Sequence, residues 1–215
     1  MKRLVFLVEG DTEIIFIEKH VIPYIYNLGF SIAINAQKIV TNRKLNKKGG
    51  NVNYEYLKND VNRILAQGDV IITTLLDFFR LPTSFPGYSA DISNISNIEN
   101  AVFVDLGNRE NIIPYIQKHE MEALMFSSIE GFEIVVDDEE RLELLEKVIS
   151  KYPDPEDINT SPQGAPSKRL ENIFGYDKVA DGELILEGLG IEIMIEKCPR
   201  FANWLKKIID VLKKG

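Results

Sequence analysis

Leu4-Val5-Phe6-Leu7-Val8-Glu9-Gly10-Asp11-Thr12-Glu13 is the stretch whose reading decides the fold. Its apolar run, closed by Gly10, reads as a fully buried strand. The residues that follow repeat Ile14, Ile15, Ile17, Val21, Ile22 and Ile25 at helical spacing. A strand therefore ends at Glu9, the chain turns at Gly10, and a helix starts near Thr12, which is placed to cap it. In open α/β sheets, ligands gather outside the carboxyl ends of the strands. Two carboxylates, Glu9 and Glu13, are delivered there, and carboxylate oxygens suit hard cations such as Mg²⁺. An acid in the first helical turn, as at Glu13, is also ordinary capping. Glu9 is harder to explain that way, because a charge at the end of a buried strand is costly unless it is paired or binds a metal.

Working outward, strands are expected over 3–8, 31–40, 69–76 and 112–117, and helices over 12–27, 53–66 and within 92–106. Strands alternating with helices imply βαβ units and a doubly wound, mostly parallel α/β sheet. Ile32-Ala33-Ile34-Asn35-Ala36 alternates and belongs nearer an edge. Val70-Ile71-Ile72-Thr73-Thr74-Leu75-Leu76 is nearly continuous, belongs at the centre, and ends in Asp77. The loop 78–91 carries Phe78, Phe79, Phe85 and Tyr88, suited to packing on the sheet edge or to stacking a base. A last apolar strand runs toward His119, Glu120 and Glu122. If a helix starts at Glu120, residues 120 and 122 point about 200° apart, so only one faces a given site. Glu120 is the inward choice, with Glu122 behind it or salt-bridged. His119 is a base, a ligand or a hydrogen-bonded structural group.

The character changes after Gly131. Asp137-Asp138-Glu139-Glu140 caps a helix built on Leu142, Leu145 and Val148, and a proline-rich connection over 152–166 follows. Pro166 opens another helix that Ser167 is placed to cap. A final helix from Pro199 to Lys214 lines up Phe201, Trp204, Leu205, Ile208, Ile209 and Leu212. The expected organisation is an α/β domain over 1–136 and a helical extension over 137–215 packed on it.

Composition bounds the function. Of 215 residues, 45% are hydrophobic and 27% charged, as in globular proteins. The net charge of −8 argues against tight unaided binding to a phosphate backbone, though not against a site neutralised by metal ions. Against that average runs a basic stretch, Lys38, Arg43, Lys44, Lys47 and Lys48, read as a mobile loop that is solvated or touches phosphates. Cys198 is the single cysteine, which excludes an internal disulfide and reads as a small core residue rather than a nucleophile. With no secretory leader expected behind Lys2 and Arg3 and no run of membrane-spanning length, a cytoplasmic chain without a membrane partner is expected.

The ordered set of motifs resembles a known family. Glu9-Gly10-Asp11-Thr12-Glu13, the strand ending in Asp77, and His119-Glu120-Met121-Glu122-Ala123-Leu124 form its first part. Pro155-Glu156-Asp157-Ile158-Asn159, Ala165-Pro166-Ser167-Lys168-Arg169-Leu170, Tyr176-Asp177-Lys178 and Cys198-Pro199-Arg200-Phe201 form the rest. Together they resemble a bacterial TOPRIM-like family of formerly unassigned function, related to OLD-type nucleases. The resemblance implies a TOPRIM-like doubly wound sheet, with Glu9 as the first-strand acid and Asp77 as the first Asp of the metal-holding pair. Phe79 stands where the second Asp would be, so Glu120 or Glu13 becomes the candidate for the missing oxygen ligand. Relatives encoded beside ATPases imply a phage-defence effector with an ATPase partner.

The expected activity is a Mg²⁺- or Mn²⁺-dependent nuclease, with Glu9, Asp77 and Glu120 on the metal and Glu13 and His119 assisting. Lys168 and Arg169 are the candidates for contact with substrate phosphate. The alternative is a non-catalytic TOPRIM-like module that binds a partner ATPase or nucleic acid. The absence of a Gly-x-Gly-x-x-Gly or lysine-containing phosphate loop counts against intrinsic ATPase or dehydrogenase chemistry.

Overall fold

A computed structural model of the protein describes residues 2–42, 47–50, 52–158 and 164–214. Two compact units divide the chain: residues 1–117 with 204–215, and residues 118–203. The expected boundary at 137 falls inside the second unit.

The first unit is an α/β layer structure. Its elements in chain order are β1 (Arg3–Val8), α1 (Asp11–Phe16), a π-helical turn (Ile17–Val21), α2 (Ile22–Asn27), β2 (Ala33–Lys38), β3 (Val40–Asn42) and β4 (Lys47–Lys48). Next come α3 (Tyr54–Leu65), β5 (Val70–Asp77), α4 (Ile95–Asp105), β6 (Ile112–Ile113) and β7 (Ile116–Gln117). The main sheet has five strands in the order β2-β1-β5-β6, with β7 also on β5, and every pairing in it is parallel. The architecture is a doubly wound α/β fold, with β2 at the edge and β5 in the interior as their burial patterning requires.

Several details differ from the sequence expectation. The expected strand 112–117 is broken, because Pro114 has no N–H to donate to the ladder. Thr74 repairs the gap: its Oγ1 donates to the Tyr115 carbonyl and accepts from the Tyr115 N–H, both at 2.8 Å. Thr73 does a similar service, donating to the Ile113 carbonyl and accepting from the Trp204 indole N–H at 2.7 Å. The Trp204 ring stacks on Tyr115 with centroids 4.5 Å apart. The first helix begins at Asp11 with Gly10 in the cap position and no side-chain cap, so Thr12 does not cap it. The chain is already extended at Gly10, which lets the helix start one residue earlier. The expected basic loop is in part an antiparallel ribbon, β3 with β4, while Arg43 and Lys44 lie outside the described residues.

The second unit is helical: α5 (Glu122–Met125), α6 (Glu139–Lys151), α7 (Pro166–Phe174), α8 (Gly182–Leu189), α9 (Ile191–Lys197) and the first turn of α10 (Pro199–Lys213). Asp138 caps α6 by accepting the Arg141 N–H at 3.0 Å, as expected. Ser167 does not cap α7. Pro166 occupies the first helical position, and the Ser167 N–H is received by Glu120 Oε2 at 3.0 Å. Cys198 is fully buried in this unit, beside Ser127 Oγ at 3.4 Å, as a packed core residue. No helix among the described residues is long and apolar enough to cross a membrane.

Candidate functional site

The site of the first unit is built where β1 and β5 end. Their parallel register pairs Val8 with Leu75, so Glu9 and Asp77 emerge from the same carboxyl edge on adjacent strands, one residue out of step. Behind Glu9 the turn at Gly10 starts α1, which puts Glu13 in the first helical turn. After Asp77 the chain makes a short 3-10 turn over Phe78–Arg80, and Asp77 Oδ1 caps it by accepting the Phe79 N–H at 2.9 Å. The charges of Asp77 and Arg80 at the two ends of this turn both reach the Glu9 carboxyl.

The hairpin closes the other side. The Ile39 N–H donates to the Val8 carbonyl at 3.0 Å, and the Gly49 N–H donates to the Ile39 carbonyl at 2.8 Å. Gly49 is held at φ +70°, and a Cβ there would lie 2.4 Å from the Glu9 carbonyl oxygen. Only glycine lets the backbone pass this close. Its neighbour Gly50 lines an open cleft of about 650 Å³ together with Glu9, Val52, Asn53, Arg80 and Pro82. Asn53 also caps α3, accepting the Tyr56 N–H at 2.9 Å. Asp11, a neighbour of Glu9 in sequence, is held by Lys38 at 2.7 Å.

Electrostatics single out Glu9. Burial pushes its carboxyl up from 4.5 to about 7; Arg80 pulls the other way, and the charges of Asp77 and Glu13 push further up. The charges of Asp77 and Glu13 thus both reach the Glu9 carboxyl, and Arg80 is the cation that opposes them. Among the described residues Glu9 closes no ion pair. Those residues also contain no group of three or more His, Cys, Asp or Glu side chains arranged to hold a metal ion. Magnesium usually takes only one or two protein carboxylates and completes its shell with waters and substrate phosphates. Glu9, half-buried on the wall of the cleft, and Asp77, half-buried at the end of the adjacent strand, are the carboxylates that could meet that demand.

The chain belongs to the family described as Domain of unknown function (DUF4276). The match spans residues 8–209 and so includes every candidate residue from Glu9 to Arg169. No curated protein and no solved structure matches the chain.

The remaining candidates of this family member lie in its second unit. His119 is buried, and burial, reinforced by the adjacent Lys118 charge, brings its imidazole down to about 4 against the pull of Asp157 and Glu120. It is therefore neutral at pH 7. Glu120 caps α7 through Ser167. Glu122 is fully buried and paired with Lys178 at 2.9 Å, because the short helix starts at Glu122 rather than at Glu120. Lys168 is ion-paired with Glu171 on an exposed face. Arg169 donates to the carbonyls of Gly164 at 2.7 Å and Ile158 at 3.3 Å and lies over the Tyr152 ring. Arg80 and Asn53 escaped the sequence reading. The signal for Arg80 was its place three residues after Asp77, at the pitch of a 3-10 turn.

Proposed function

We propose that this chain is a Mg²⁺-dependent nuclease whose reaction centre is the β1/β5 strand edge. The observation that supports this reading most is the emergence of Glu9 and Asp77 from adjacent parallel strands beside an open, Arg80-lined cleft. Glu9 and Asp77 would hold the cation, which supplies Lewis-acid stabilisation of the negative charge that develops on a phosphate. Arg80 offers a guanidinium fork for phosphate oxygens. Asn53 opens α3 at the cleft wall, so the positive end of that helix adds to the field. Lys48, exposed two residues before Gly50, extends the basic margin. These local cations offset a net charge of −8, which otherwise repels a polyanion.

The raised proton affinity of Glu9 has a chemical consequence. Below about pH 7 Glu9 carries a proton, which a divalent cation must displace. Cation binding should release about one proton near pH 6 and weaken as the pH falls, approaching tenfold per unit. Isothermal titration with Mg²⁺ and Mn²⁺, run in buffers of different ionisation enthalpy, reads both effects. Glu9→Gln and Asp77→Asn should abolish the heat and reduce Mg²⁺-dependent cleavage of DNA or RNA on the order of 10²–10³-fold; binding that survives both substitutions would sink the reading. A role beside an ATPase in phage defence belongs to this same proposal.

Phe79, exposed at the position of a second acid, favours one other reading, a non-catalytic module that binds an ATPase or nucleic acid. That reading requires no cation heat in the wild type and partner binding indifferent to Glu9→Gln.

A further inference from the structure

β2 (Ala33–Lys38) ends the main sheet, and among the described residues it pairs only with β1. The Ile39 N–H, just beyond β2, donates to the Val8 carbonyl of β1. Alternate residues of a strand send their N–H and C=O to the same side, so Asn35 and Gln37 also turn theirs toward β1. Ile34 and Ala36 turn theirs outward, along an open edge. Proteins guard such an edge with lysines, prolines or bulges. β2 has none of these before Lys38, whose ammonium is held by Asp11 at 2.7 Å. Ala33 and Asn35, both uncharged, are exposed. The lack of charge extends into the preceding helix. From Val21 to Gln37 no residue carries a charge, the longest such run in a chain that is 27% charged. Within it, at the end of α2, Tyr26 is 45% and Leu28 49% exposed. The Tyr26 hydroxyl donates to the Ile32 carbonyl at 3.3 Å, which places Tyr26 beside the entry to β2. An uncharged strand edge and an exposed tyrosine thus adjoin, with Leu28 in the turn that joins them.

We propose that this surface is the interface of a homodimer, in which β2 pairs antiparallel with β2 of a second copy and joins two five-stranded sheets into one. Charge and symmetry select a second copy as the occupant. Two chains of net charge −8 repel each other, and they meet with least repulsion where neither carries charge. A partner recognised by its charge would need a charged counterpart here, and the run from Val21 to Gln37 offers none. Interface centres are poor in charged residues and enriched in tyrosine, as this surface is. Symmetry supplies the pairing. About a two-fold axis perpendicular to the sheet, the outward N–H groups of each copy meet the outward C=O groups of the other, and the same residues serve both sides. Ala33 and Asn35 set no charge against its own copy, where like charges directly opposite would destabilise the pair. The interface is independent of the nuclease reading, because it uses no residue that lines the Glu9 cleft.

The test weighs the full chain by sedimentation velocity at about 10 µM, a concentration that populates micromolar complexes. Wild type should sediment at twice the mass of one chain. Asn35→Glu, at an exposed position that should leave folding intact, brings two carboxylates together across the axis and should weaken association about tenfold or more. Ala36→Pro removes an outward N–H and leaves the ladder to β1 in place, so it should also give monomers. Val104→Glu, on the 51% exposed apolar residue of α4, is the control and should stay dimeric. Hydrogen exchange on the wild type needs no variant. The Ile34 and Ala36 amides should exchange slowly in the dimer and fast after dilution to the monomer. A wild type with the mass of one chain overturns the proposal. So does a dimer that Asn35→Glu leaves intact, a dimer that Val104→Glu weakens equally, or a dimer in which the Ile34 and Ala36 amides exchange as fast as in the monomer.

Discussion

Glu120, Glu156 and Glu122 in the second unit each have a protein partner that accounts for them. Glu120 receives the Ser167 N–H, Glu156 Oε2 receives those of Arg200 at 2.7 Å and Phe201 at 3.4 Å, and Glu122 holds Lys178. At the strand edge of the first unit, Glu9 is lifted by burial and by two neighbouring acids and has only the field of Arg80 to oppose them. Both units therefore place carboxylates in costly positions, with different compensation. In the second unit the carboxylates complete helix ends and one buried ion pair, which is what a fold needs. In the first, like charges gather around Glu9 beside open space, which weakens the fold and raises its proton affinity.

The contrast can be broken most directly at the strand edge. Glu9→Gln and Asp77→Asn are expected to reduce Mg²⁺-dependent cleavage on the order of 10²–10³-fold, the scale of losing a group that stabilises transition-state charge. Their melting temperatures should not fall. A matching loss of stability would place these acids with those of the second unit.

Glu156→Ala should do the reverse. It leaves two N–H groups at the start of α10 without their carboxylate, a loss of about 2–4 kcal/mol. In a chain of this size that is about 5–10 °C in melting temperature, measured by calorimetry. Cation binding should be intact.

A finer test is the pH dependence of stability. The folded Glu9 holds its proton more tightly than the unfolded chain does, so its penalty is absent below pH 4.5 and grows as the pH rises toward 7. Glu9→Gln should therefore stabilise the protein at pH 8 and not at pH 4. Discounted for partial exposure, the gain is about 1–2 kcal/mol.

His119 works with the opposite sign. Its folded value of about 4 lies below the unfolded 6.5, so its stabilising contribution is complete above pH 6.5 and is lost as the pH falls toward 4. His119→Gln should flatten the acid limb of the melting-temperature profile and leave the alkaline limb, where Glu9 acts, unchanged. A profile flattened on both limbs would mean that the two groups titrate together.

Much of the first unit was legible in the residues. The runs Leu4–Val8 and Val70–Leu76 could only be buried strands, and a strand buried on both faces must deliver whatever follows it to the sheet edge. That is why Glu9 and Asp77 could be named before any coordinates. The break at Pro114 was visible as a residue that cannot join a ladder, but its repair by Thr74 was not, since nothing local ties residue 74 to residue 115. The helices over 182–189 and 191–197 were missed because Gly182, Gly188 and Gly190 interrupt the apolar pattern that announces a helix.

Local order, a parallel sheet and acids at two strand ends followed from apolar periodicity alone, because periodicity reports which face each residue must bury. Which carboxylates are matched by a partner and which are left strained was decided only in three dimensions. Arg80, Glu156 and the Gly49 crossing over Glu9 act through distances between residues far apart in the chain, and a charge is stabilised or strained by what surrounds it in space rather than by its neighbours in sequence.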